Sequence, residues 1–168
     1  MKHLFVCLLA GCLASPAWGE EFAVTFEEFL QKLEKAEPWT REKVEALMGV
    51  KLSEREPHDR GSHRAYGQFM VAKGIIVREI ALEVSGITGK TNILRLYLDD
   101  KSGCFTGKQV RELYPGGYVE MAGPGAGGSY IKEMPWGELD FAFGPEKEYR
   151  CMTDIGIRTN AFIERYRD

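Results

Sequence analysis

The side chains able to do chemistry fall into a few short clusters. His58-Asp59 with His63 is the one clustered His/Asp set, and Ser62-His63 lies inside it. Asp99-Asp100-Lys101-Ser102-Gly103 is an acidic stretch, and Gly116–Gly128 is rich in glycine. A zinc centre needs three or four N, S or O ligands at close spacing. Here Glu54 and Glu56 are the only extra ligands at hand beside His58, Asp59 and His63. A calcium loop needs alternating ligands and a distal bidentate Glu. Asp99–Gly103 has neither and reads as a plain turn. The glycine stretch lacks a Lys-Ser/Thr ending and a strand–Gly–helix order. It therefore cradles phosphate neither as a P-loop nor as a dinucleotide fingerprint. No Gly-x-Ser-x-Gly elbow occurs. The expectation is no catalytic residue, no cofactor and no metal. The one catalytic reading kept beside it is a small hydrolase using the His58–His63 loop.

Cysteine and charge set the compartment and the partner class. Lys2, the apolar run Leu4–Ala14 and Ala17-Trp18-Gly19 have the form of a signal peptide over residues 1–19, cleaved near Gly19. The apolar run is too short for a bilayer span, which takes about 20 residues. Leu9-Ala10-Gly11-Cys12 also resembles a lipobox, so a lipid anchor at Cys12 is the second reading. Cys7 and Cys12 fall in the leader, which leaves Cys104 and Cys151 in the folded region. Two cysteines in an oxidising compartment most simply form a disulfide. Closing a loop of 48 residues contributes roughly 4 kcal/mol by chain entropy. The mature chain keeps 21 basic and 25 acidic residues, net −4. Nothing there favours nucleic acid or an anionic membrane as partner.

The elements that must position these residues are well signposted. Thr25 and Glu28 form a capping box, and Phe26, Phe29, Leu30 and Leu33 make a helical stripe. Thr40 caps a second helix that carries Val44, Leu47 and Met48 and stops at Gly49. Ser53–Ser62 reads as a polar loop. Strands follow at Ala65–Val71 and Ile75–Val84, the latter with Ile76, Ile80, Leu82 and Val84 on one side. Ile93–Leu98 is the clearest strand: Leu94, Leu96 and Leu98 alternate with Arg95 and Tyr97. Thr106 and Gln109 box a third helix. Gly116–Gly128 reads as one long connection, a kind that is often functional. Strands at Ser129–Met134, Glu138–Phe143 and Glu148–Thr159 complete the chain, with Asn160–Asp168 left open. The predicted fold is α+β: an N-terminal helical hairpin packed on an antiparallel β-sheet, one further short helix, a C-terminal β-meander and one disulfide. A single domain spans 20–168, divisible at 20–103 and 104–168.

The capped helix, the segment Thr-x-x-x-Val-x-x-Leu-Met-Gly at Thr40–Gly49 and the following strands resemble the BamE/SmpA and β-lactamase-inhibitor-protein superfamily. The resemblance covers Thr25 to about Asp100, and the second half departs from a full repeat. It implies a small extracytoplasmic module that binds other proteins and carries no catalytic residues. In size, leader, disulfide and acidic balance the chain is also similar to small periplasmic immunity and inhibitor proteins. The expected function is a non-enzymatic periplasmic or secreted protein-binding module of inhibitor or immunity type. Its partner would be another protein, such as a toxin or enzyme in the periplasm. The alternative is a cell-envelope assembly or maintenance lipoprotein. The expected binding residues are Arg95 and Tyr97, which must point away from the leucine face, with Tyr66, Tyr118 and Met121. Trp39, Trp136 and Tyr130 are further aromatic candidates for the interface.

Overall fold

The computed structural model describes residues 24–54, 61–85, 88, 90–121, 127–144 and 151–165. The expected signal peptide with Cys7 and Cys12, His58-Asp59 and the middle of the glycine stretch lie outside them. The elements are α1 (Phe26–Lys35), α2 (Arg41–Met48), β1 (Ser53–Glu54), β2 (Ser62–Ala72), β3 (Ile75–Val84), β4 (Thr91–Leu98), α3 (Gly107–Leu113), β5 (Tyr118–Met121), β6 (Gly128–Met134), β7 (Gly137–Phe143), β8 (Met152–Thr159) and α4 (Asn160–Arg165).

Local chemistry starts each helix. Thr25 Oγ1 accepts from Glu28 N at 3.2 Å, and Glu28 Oε2 accepts from Thr25 N at 2.7 Å. That reciprocal box satisfies two backbone donors which a helix start leaves orphaned. Thr106 and Gln109 do the same for α3. Thr40 caps α2, and Gly49 ends it at φ 65, a left-handed position that glycine takes without a Cβ penalty. The stripe Phe26, Phe29, Leu30 and Leu33 is buried. Trp39 lies between the first two helices, wholly buried; its Nε1 donates to Leu33 O at 2.7 Å. The Thr91 hydroxyl in turn donates to Trp39 O, tying this link to the start of β4.

The eight strands form one antiparallel sheet in the order β1-β2-β3-β4-β8-β7-β6-β5. It is two four-stranded meanders, β1–β4 and β5–β8, each entered from a helix. They meet where their last strands pair, with Leu94 opposite Ile157 and Leu96 opposite Ile155. Joining equivalent strands antiparallel relates the halves by an approximate two-fold at the seam. One hydrophobic core runs through both, from Phe29, Leu33 and Val44 through Ile80, Leu94 and Leu96 to Leu139, Phe141 and Ile157. The Cys104–Cys151 disulfide, Cα–Cα 4.6 Å, fastens the chain leaving β4 to the residue before β8. Beside it, Phe105 O accepts from Met152 N at 2.8 Å.

Several expectations need correction. Ser53–Glu54 is strand β1, and β2 begins at Ser62, so the polar loop is shorter than its composition implies. The Gly116–Gly128 connection contains β5, which pairs with β6 as the edge strand. The open tail contains α4. A register shift between Val77 and Glu79 changes the phase of β3, a bulge that lets one strand gain a residue on its neighbour. Ile75 and Val77 therefore join Ile80 and Leu82 in the core, and Ile76 does not. Leu47 is only partly buried against that core.

Candidate protein-binding face of the sheet

Alternation puts Leu94, Leu96 and Leu98 in the core and sends Arg95 and Tyr97 to the opposite face. The pairing registers extend that face across both meanders in three rows. One row runs Glu83, Ile93, Arg158, Glu138, Glu133. The central row runs Arg64, Ala81, Arg95, Gly156, Asp140, Ile131, Tyr118. The third runs Tyr66, Glu79, Tyr97, Asp154, Ala142, Ser129, Glu120. Tyr66 thus shares the face of Tyr97, with β3 between them. Tyr118 lies at the far edge of the same face. Tyr66 is 65% exposed and Tyr118 46%, while Tyr97 is half-buried. Met121 ends β5, and its side chain lies outside the described residues.

Ion pairs knit the rows together. Arg64 bonds Glu79. Arg158 Nη2 donates to Asp140 Oδ2 at 2.5 Å, and its Nη1 donates to Glu138 Oε2 at 3.3 Å. Burial opposes the Arg158 charge, but the hydrogen bond and field of Asp140, aided by Glu138, outweigh it and keep the guanidinium firmly protonated. Arg95 is held differently. Its Nη2 lies 3.7 Å from Asp140 Oδ2 and its Nε 3.7 Å from Asp154 Oδ1. Both separations are too long for hydrogen bonds. Among the described residues, Arg95 Nε, Asp140 Oδ1 and Asp154 Oδ1 are buried atoms without a hydrogen-bond partner. Burial pushes the Asp154 carboxyl above its ordinary value, and Arg95 and Thr153 offset that only in part.

Other candidates sit elsewhere. Trp39 and Tyr130 are corrected from interface to core. Trp39 packs edge-on against the half-buried Trp136, ring centroids 4.6 Å apart. The Tyr130 hydroxyl donates to Tyr114 O at 2.5 Å and accepts from Gly117 N at 2.8 Å. A buried aromatic with its polar tip satisfied is a core residue, not an anchor awaiting a partner. His63 lies in β2 rather than in a loop, opposite Leu82 and buried. Among the described residues, no group of three or more His, Cys, Asp or Glu side chains is placed to hold a metal ion.

Sequence reasoning missed Asp140, Asp154, Gly156 and Arg158. The signal was present: Leu139, Phe141 and Phe143 alternate inward, so Asp140 had to face outward. Ile155 and Ile157 imply the same for Asp154, Gly156 and Arg158. What alternation could not supply was the register that brings Asp140, Gly156 and Arg95 into one row. No family model, no curated protein and no solved structure matches this chain.

Proposed function

We propose that the chain is a non-enzymatic extracytoplasmic module that binds another protein through the sheet face opposite its helices. An inhibitor or immunity role is the specific form of this reading. In this reading α1 and α2 act as a helical hairpin that backs the sheet and keeps the face rigid, which limits the ordering cost of association. The observation that carries it is the exposure of Tyr66 and Tyr118 at the two ends of one continuous face. Tyrosine and arginine are enriched among the residues that dominate binding energy. The form of the leader and the Cys104–Cys151 bridge support an oxidising envelope or extracellular compartment. The acidic balance sets nucleic acid aside as a partner. The resemblance to the β-lactamase-inhibitor-protein superfamily points to the same class of function.

The test is affinity capture from the envelope fraction of the producing organism. Two baits are run in parallel, the wild-type mature chain and the Tyr66→Ala/Tyr118→Ala double variant. Both substitutions are exposed and leave the core untouched. The reading expects at least one protein retained by the wild type and lost by the variant. Identical retention by both baits, or none by either, overturns it.

A further inference from the structure

We infer that the partner surface met by this face is basic, and that one of its Lys or Arg side chains seats against Asp154 and Asp140 at the centre of the sheet. This rests on the protein-binding reading and specifies its chemistry. Among the described residues, the three rows carry seven carboxylates against three arginines. Glu83, Glu120 and Glu133 are exposed on the rim. The face therefore attracts a cationic protein surface and repels an anionic one.

The centre supplies an independent observation. Asp140 is 2% exposed, yet its Oδ1 accepts no hydrogen bond from any described residue; nor does Oδ1 of Asp154. A buried carboxylate oxygen left so is costly unless a donor reaches it. Gly156 lies between Arg95 and Asp140 and contributes no side chain, and the Asp140 side chain packs over it. A Cβ at Gly156 would lie 3.3 Å from Asp140 Cβ.

The two arginines at this centre are not equivalent. Arg158 is locked on Asp140 by a hydrogen bond of 2.5 Å. Arg95 is one-third exposed and approaches Asp140 and Asp154 only to 3.7 Å. Counting Asp140, Asp154 and Glu138 against Arg95 and Arg158, the centre keeps one negative charge in excess. A single incoming ammonium or guanidinium neutralises it and supplies the missing donors. Burial raises the Asp154 carboxyl, and the nearby Arg95 offsets that only in part.

The experiment titrates the isotope-labelled mature protein with a hexalysine peptide, with hexaglutamate as control, and follows backbone amide shifts. We expect saturable shifts with hexalysine centred on Gly156, Arg95 and Asp140, and none there with hexaglutamate. Asp154→Asn should weaken the response at least ten-fold with an unchanged melting temperature. Glu120→Lys/Glu133→Lys, confined to exposed rim positions, should weaken it as well. The rim variant keeps the test decisive should Asp154→Asn perturb the fold. Absent shifts, shifts spread over the whole surface, or a response indifferent to both variants overturns the proposal. An ordered water satisfying both Oδ1 atoms, with no hexalysine response, overturns it too. A captured partner that binds Asp154→Asn and the rim variant as tightly as wild type rejects the basic surface while leaving the protein-binding reading standing. Failure of capture with a localised hexalysine response rejects the protein-binding reading and the partner assignment with it, and leaves only a cation seat at Asp154 and Asp140.

Discussion

At the residue scale, two charge clusters show how context decides what a side chain does. Glu45 is a structural hub. Its carboxylate takes Lys51 Nζ at 2.7 Å, Leu52 N at 2.9 Å and Arg41 Nε at 3.0 Å, which pins the chain after α2 to that helix. The Lys51 hydrogen bond, then the Leu52 backbone bond, then Arg41, lower its carboxyl from 4.5 to about 2. A depressed folded value contributes stability that is full above the unfolded value and is lost as pH falls through the folded one. The stability advantage of wild type over Glu45→Gln should therefore hold at pH 7 and shrink between pH 4.5 and about 2. Urea midpoints across that range check it. Asp154 titrates with the opposite sign, because its folded carboxyl is raised, so its contribution grows as pH falls; taking the difference between the two proteins cancels it. Arg158 belongs to the second cluster. Removing it strands the buried Asp140 carboxylate, and Arg158→Ala should cost roughly 2–4 kcal/mol in denaturant unfolding, somewhat below a fully buried pair because Arg158 keeps some solvent contact. Arg95→Ala would act partly in the same way. The outward pointing of Arg95 and Tyr97 was legible from alternation alone. Their neighbours were not, because row membership depends on registers set by the partner strands.

At the element scale, the caps and stripes were the most legible features. Thr25-x-x-Glu28 and Thr106-x-x-Gln109 each encode a local hydrogen-bonded unit, and the structure uses both boxes. Leucine alternation at 94, 96 and 98 located the central strand and its buried face for the same reason: the signal is local and its period is two. The elements missed lacked such a signal. β1 has only two residues, and β5 lies between glycines, its identity owed to pairing with β6. The β3 bulge, where β3 advances from Val77 to Glu79 against a single step from Leu98 to Tyr97, was illegible because no glycine or proline in β3 marks it. Leu96 lies at the seam of the two meanders, opposite Ile80 and Ile155 and fully buried. Leu96→Ala should cost roughly 2–5 kcal/mol, measured by chemical unfolding. A loss under about 1 kcal/mol would mean that the seam tolerates a cavity and is not the packing centre of the sheet.

At the scale of the whole molecule, the antiparallel junction of β4 with β8 makes one platform from two meanders, and the disulfide ties one end of that junction. The two meanders share one sheet and one core. With the core on the helix side, the opposite face is left for tyrosines and charge, and the functional account depends on that division. The most direct measurement is the affinity of the captured partner for Tyr66→Ala, Tyr97→Ala and Tyr118→Ala, read beside their melting temperatures. At least one of the three should weaken binding by about 1–3 kcal/mol, with Tyr66→Ala and Tyr118→Ala leaving stability within about 0.5 kcal/mol of wild type. Affinity unchanged in all three would contradict the claim that this face meets the partner.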